Sequence, residues 1–402
     1  KGLFIMKYIK PYQIFEASAS APQALTAEQI EWLDEHTEGS WKLNPQTGFV
    51  DVNGDFDCRY QGLTDLKGVK FGKVSGGFNC YVNQLTTLEG APKSVKGHFS
   101  CYGNQLTSLV GAPQTVGGDF YCHENELTSL VGAPKTVKGD FRCYNNQLTT
   151  LVGAPQRVSG DFFCYGNQLT TLVGAPQTVG GSFDCEDNQL TTLVGAPQSV
   201  GGNFDCGGNH LTSLVGAPQS VGGSFVCNRN QITSLVGAPK TVDGDFYCGG
   251  NQLTTLVGAP QTVGGRFDCE DNELTSLEGA PQSVKEDFNC KHNHLTSLVG
   301  APQTVGGYFD CEDNHLTSLV GAPKTVGGYF YCGGNPVSET TLEAIFALMK
   351  SGMGYQQALE KRWPKMKNVD RVLMYKEMTN LPPDETRKYK ALATYANIKG
   401  YL

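Results

Sequence analysis

Charge is scarce in this chain. Asp, Glu, Lys and Arg make up 17% of its 402 residues, and the balance is mildly acidic at −8. A protein that grips nucleic-acid phosphates needs a basic surface, so neither DNA nor RNA is an expected partner. Long apolar runs are missing too. No stretch approaches the roughly 18 apolar residues that a membrane-spanning helix requires, so no membrane partner is expected. There is no Cys-x-x-Cys pair of the kind that builds zinc sites, no glycine-rich phosphate loop and no nucleophile–base pattern. An enzyme is therefore not expected, and neither a cofactor nor a metal is implied.

What the chain has in place of these is a period. Cys58 is followed by Cys80, and from Cys80 to Cys332 a cysteine recurs every 21 residues, so that all 14 cysteines fall on one ladder. A fixed period of about 20–29 residues marks a solenoid, whose repeats contact only their neighbours. The 50 glycines belong to this period and do not signal disorder. A solenoid grows linearly, so the length does not imply two or three globular domains.

One rung runs Val116-Gly-Gly-Asp-Phe120-Tyr-Cys122-His-Glu-Asn125-Glu-Leu127-Thr-Ser-Leu130-Val-Gly-Ala-Pro134. Phe120 and Cys122 alternate with the two-residue period of a strand, and Asn125, Leu127 and Leu130 follow at fixed offsets. The spacing Phe-x-Cys-x-x-Asn-x-Leu resembles the leucine-rich-repeat core Leu-x-Leu-x-x-Asn-x-Leu, with Phe and Cys in the first two leucine slots. It recurs over 14 rungs. The resemblance implies a leucine-rich-repeat solenoid with a parallel β-sheet on its concave face. On the back, Gly-Ala-Pro occurs 12 times from Gly90 to Pro323. Proline there suits a short extended return and opposes a long helix. With strands about 4.8 Å apart, the sheet should be on the order of 60 Å long.

The inward ladder is read from position. Cys122, Cys143 and Cys164 occupy buried strand slots, where free cysteine acts as a small hydrophobe and stacked Cβ vectors suit a disulfide poorly. A reduced core ladder is expected, and with it a reducing compartment. Asn125, Asn146 and Asn167 form a second ladder, which in leucine-rich repeats bonds to the backbone of its own and adjacent rungs. The first rung carries Gln61 instead.

Four segments follow. Residues 1–25 are expected to form a flexible tail, and 26–54 an N-terminal cap. That cap combines a helix, opened by a Thr26–Gln29 capping box with Ile30 and Leu33 on one face, and a hairpin turning at Asn44–Gly48. Residues 55–335 form the solenoid, and 336–402 carry four helical patterns that suit a C-terminal cap. The tail lacks the apolar core of a secretory signal, because Lys7, Lys10 and Pro11 interrupt it. Its Ile14-Phe15-Glu16-Ala17 resembles the short head-targeting peptides of large tailed bacteriophages, which are cut after the glutamate. With the repeat style, this resemblance implies a phage-encoded leucine-rich-repeat protein, located in the host cytoplasm or in the virion.

Within the chain, the slots flanking Phe and Cys vary most, and these outward slots line the sheet face where leucine-rich repeats usually bind. Tyr102, Tyr121, Arg142, Tyr144, Phe163 and Tyr165 form an aromatic stripe there, and such residues are enriched at binding hot spots. The competing reading is that strands favour Tyr and Phe regardless. Three rungs read Phe-Asp-Cys-Glu-Asp-Asn, with acidic groups at Asp184, Glu186 and Asp187, at Asp268, Glu270 and Asp271, and at Asp310, Glu312 and Asp313. They are expected to be separate, solubilising clusters. The histidines, His294 and His315 included, are expected to be solvated and not to hold a metal. The resemblance implies a non-enzymatic module that binds a protein partner through the concave face. The alternative is an internal virion head protein processed after Glu16. Neither the partner's identity nor an oligomeric state is readable.

Overall fold

The computed structural model describes residues 24–336 apart from Ser318. Ile14, Glu16 and Ala17, and all but the first residue of the segment read as a C-terminal cap, lie outside the described residues.

The chain enters through one helix, α1 (Ala27–His36). Its capping box is closed on both sides: the Gln29 N–H donates to Thr26 Oγ1 at 3.2 Å, and the Thr26 N–H donates to Gln29 Oε1 at 2.9 Å. The buried pair is Trp32 and Leu33, whereas Ile30 stays exposed. The expected Ile30–Leu33 face is thus rotated. The cause is the indole of Trp32, which packs edge-on against Phe56 at 5.1 Å and so covers the open end of the phenylalanine stack.

Next comes an antiparallel hairpin of β1 (Thr37–Leu43) and β2 (Val50–Asp57), in register from Thr37↔Phe56 to Leu43↔Val50. β2 starts both ladders of the solenoid. Its first half pairs with the strand Phe71–Val74, and its second half pairs Phe56 with Phe78 in parallel. β1 covers the other edge of β2. An uncovered edge would offer unpaired N–H and C=O groups to any passing strand.

From there each rung contributes two two-residue strands. The front ladder runs from Phe78–Asn79 to Phe330–Tyr331, and the back ladder continues from Ser94–Val95 to Thr325–Val326. All pair in parallel and in register, Phe120 on Phe141 and Val158 on Val179, for example. The extended back side therefore has a β-ladder of its own. Phe, Cys and both leucine-slot residues are fully buried through the consecutive rungs of the solenoid, and neighbouring Phe rings stack about one strand spacing apart.

One glycine shows why the back turn needs that residue. The Ala133 N–H donates to Leu130 O at 3.0 Å across a turn in which Gly132 has φ +101°, a conformation that side chains resist. In the Gly-Gly bend, a Cβ on Gly201 would lie 2.0 Å from the carbonyl oxygen of Gly180 in the preceding rung. Other rungs carry Lys96, Lys138, Ser159, Asp243 or Lys285 at that slot, so this close approach belongs to the rungs with glycine there.

The asparagine ladder joins the rungs. The Asn146 amide donates to Cys143 O at 3.0 Å in its own rung and to Cys122 O at 3.1 Å in the rung before, and its Oδ1 accepts from the Leu127 N–H at 3.0 Å. Turning this side chain inward requires a left-handed residue just ahead of it: Asn145 has φ +50°, Glu124 +53° and Asp187 +50°. Asn146→Ala would leave the buried Leu127 N–H without an acceptor and take one of two asparagine donors from each of Cys122 O and Cys143 O. We expect it to destabilise the fold by about 2 kcal/mol or more, read as a lowered thermal midpoint. An unchanged midpoint would contradict this role.

Candidate functional site: the outward face of the front ladder

Three outward slots per rung face solvent across the front ladder: before Phe, between Phe and Cys, and after Cys. In-register pairing places like slots directly above one another, so residues 21 apart become neighbours. In the slot after Cys this builds a column of five rings. Tyr81 stacks on Tyr102 at 4.4 Å, Tyr102 on His123 at 4.4 Å, His123 on Tyr144 at 4.3 Å and Tyr144 on Tyr165 at 4.5 Å. Beneath the same rungs, Phe120–Phe141 and Phe141–Phe162 centroids are 5.3 Å apart. Spacing that is tighter outside and wider inside than the strand repeat of about 4.8 Å means that the sheet bends toward the outward side chains. This face is concave.

The adjoining slot holds Tyr121, Arg142 and Phe163 in consecutive rungs. The Arg142 guanidinium lies 4.8 Å from the Tyr121 ring centre and 5.6 Å from that of Phe163, and is paired with Asp140 at 2.9 Å. The Tyr121 hydroxyl donates to Asp119 at 2.7 Å. Burial pushes the phenols of Tyr102, Tyr121 and Tyr165 up to about 12, so they stay neutral hydrogen-bonding groups.

All six residues read from the sequence as an aromatic stripe are therefore brought together: Tyr102, Tyr144 and Tyr165 in one column, Tyr121, Arg142 and Phe163 in the next. Each is half-buried by its neighbours and presents edges more than faces. The sequence reading missed Tyr81 and His123, which complete the column. His123 is no solvated histidine. It is 6% exposed, stacked on both faces, and its Nδ1 is buried without a partner. Burial, then the nearby Arg142, lowers it to about 4, so it is neutral near pH 7. Counting 21 residues back from Tyr144 would have found it.

Beyond Phe163 the face turns acidic. Asp184 pairs with Phe163 on one side and Asp205 on the other. Carboxylate oxygens of Asp184, Glu186 and Asp205 lie within 4.8 Å of one another, a donor set that suits a cation. The expectation of separate acidic clusters overlooked Asp205, which belongs to a rung without the acidic motif. These groups are also not simply solvated. Asp184 accepts from the Glu186 N–H at 3.0 Å, and Asp205 from the Gly207 N–H at 2.9 Å. Burial pushes Asp184 up to about 6 and Asp205 to about 7, and neighbouring carboxylates add to both shifts.

The same motif is neutralised two rungs past Cys227. Arg266 pairs with Asp268 at 2.9 Å, Lys291 with Glu270 at 2.9 Å, and the Asn289 amide donates to both carboxylates. His292 sits between Asp271 and Asp313 at 3.0 and 3.1 Å, while the His294 and His315 rings lie 5.5 Å apart in the next column. The cysteines of the ladder are free and buried, and burial pushes their thiols up, which leaves them neutral.

The fold and its repeat define a leucine-rich-repeat-type solenoid with 21-residue rungs. No family model and no curated protein matches the sequence. Among solved structures, YopM from Yersinia enterocolitica WA-314 is similar, with 25% sequence identity and a TM-score of 0.56 over 71% of this chain. The chain covers 61% of that protein's length. YopM from Yersinia pestis, described as a leucine-rich effector protein, matches at 17% identity with a TM-score of 0.40, covering 70% of this chain and 78% of that one. No helix among the described residues is long and apolar enough to cross a membrane.

The raised carboxyls carry a pH signature. An unfolded Asp titrates near 3.9. Between there and about 7 the native state holds the proton that the unfolded chain has lost, so stability falls as pH rises through that window. Asp205→Asn keeps the acceptor for the Gly207 N–H and removes the charge. After discounting for partial solvent screening, it should stabilise the protein by about 1–2 kcal/mol at pH 8 and by almost nothing at pH 4. Thermal midpoints at the two pH values check this, and an equal gain at both would contradict it.

Proposed function

We propose that the protein is a non-enzymatic binding module that captures a protein partner on the concave face, centred on the rungs of Cys122, Cys143 and Cys164. The observation that carries this is the continuous aromatic column from Tyr81 to Tyr165 with Tyr121, Arg142 and Phe163 beside it. The core demands none of these residues, because other rungs fill the same slots with Asp, Gly, Ser or Val. Rigid tyrosines offer large contact area with little entropy left to lose, and an arginine held between rings is pre-positioned. The leucine-rich-repeat-type fold, similar to that of YopM from Yersinia enterocolitica WA-314, fits an interaction role. Tyr121→Ser, Tyr144→Ser and Phe163→Ser together should abolish binding of an isolated partner while the melting curve stays cooperative. Unchanged affinity would end this reading.

A second reading rests on Ile14-Phe15-Glu16-Ala17. If the protein is phage-encoded and travels in the head, it is cleaved after Glu16. The intact mass of protein from its native source decides between a chain that begins at Ala17 and one that retains the preceding residues.

A further inference from the structure

We propose that the protein self-associates through a second surface: two copies pack side by side and antiparallel along a stripe of exposed valines. The stripe runs along the flank that leads from the front ladder to the back ladder. The concave face takes no part in this contact, so the inference stands apart from the protein-binding reading.

Each rung crosses this flank between its asparagine and its Gly-Ala-Pro turn. The residue after the second leucine is valine in eight consecutive rungs, from Val110 to Val257, and again at Val299. Those eight are between 47% (Val257) and 63% (Val110) exposed. Stacked one per rung, they form an apolar stripe about 34 Å long. The fold does not ask for valine there. Glu89 and Glu278 occupy the same slot, and the backbone is satisfied alike in both cases: the Val152 N–H donates to Thr150 Oγ1 at 3.3 Å, and the Glu89 N–H donates to Thr87 Oγ1 at 3.2 Å. Charge is also missing around the stripe. In six consecutive rungs, from Gln147–Pro155 to Gln252–Pro260, the flank carries no Asp, Glu, Lys or Arg. Over the same stretch the outward slots of the front ladder change from rung to rung, whereas this flank keeps its Thr and Val. A continuous apolar patch from which charge is excluded has the composition of an interface core.

Pitch, shape and area select a second copy as the occupant. The valines repeat at the strand spacing of about 4.8 Å, and another solenoid with 21-residue rungs repeats at the same distance. A helix lying along the stripe advances about 5.4 Å per turn and falls nearly a whole rung out of step across eight valines. The solenoid bends toward its front, and this flank is the side wall of that arc. Two side walls related by a two-fold axis running from back to front stay in contact around the whole arc, with both concave faces open on the same side. The rungs from Glu89 to Val320 span about 53 Å, and the strip from the exposed threonine to the glycine after valine is about 12 Å wide. The contact then covers on the order of 600 Å² per copy, and a total near 1,200 Å² is the lower end of the range for stable interfaces. Full overlap sets Val194 against Val215 of the other copy and Val173 against Val236. It also sets Glu278 against Val131, near one end of the contact, whereas centring on the eight valines alone would set Glu89 against Glu278.

The test is the mass of the full chain in solution, by sedimentation equilibrium over protein concentrations from about 1 to 200 µM. We expect a dimer with a micromolar dissociation constant, as suits an interface at the small end of the range. Val173→Glu and Val236→Lys should each raise that constant by about tenfold or more, because each puts an unpaired charge into an apolar contact. In one chain these positions lie three rungs apart, about 14 Å, too far to pair. Across the two-fold axis they face each other, so the double variant joins Glu to Lys and should return to within about threefold of the original constant. The slot already accepts Glu89 and Glu278, and melting curves confirm that the variants fold. The chain with Tyr121→Ser, Tyr144→Ser and Phe163→Ser should dimerise like the original, and loss of its dimer would move the contact to the concave face and overturn the proposal. A monomer at every concentration would overturn it too, as would a dimer that survives both single substitutions. Weakening by both singles without recovery in the double variant would overturn the antiparallel register. None of these results bears on partner capture by the concave face, which has its own test.

Discussion

Each asparagine side chain holds two rungs together. Its amide closes its own turn, reaches the carbonyl of the rung before, and takes the N–H of a leucine there. A rung cannot bury its own core or satisfy its own turn, so this amide couples local conformation to stacking. The left-handed residue ahead of it and the glycine of each back turn serve the same requirement: consecutive rungs must approach to strand distance in strict register.

That register decides what the surface can do. Every outward residue meets the residue one period away, at roughly 4.8 Å. Rings gain from this, and Tyr102, His123 and Tyr144 stack nearly parallel. Carboxylates lose, and Asp184 beside Asp205 is held with both groups raised well above their ordinary range. The chain relieves the same conflict at Asp268 and Glu270 with Arg266, Asn289 and Lys291. The concave face is thus divided by one geometric rule into an aromatic part that stabilises itself and an acidic set that does not.

The N-terminal end obeys the same logic. A stack of phenylalanines has an open end, and a parallel ladder has an open edge. Trp32 from α1 covers the first ring, and β1 covers the edge of β2. The cap and the first rung share β2, so no boundary separates them in the structure.

The sequence by itself determined the solenoid, the inward Phe, Cys, Asn and Leu ladders, and the six residues of the aromatic stripe. A period of 21 with invariant core positions can be satisfied in only one way: by stacking. It left unread what depends on two rungs at once. His123 looked like a surface histidine until Tyr102 and Tyr144 closed over it. Asp205 looked isolated until it lay beside Asp184. Ile30 looked like part of the buried helix face until Trp32 reached the first phenylalanine. These are properties of neighbours 21 residues apart or further, and only the tertiary stack makes them neighbours.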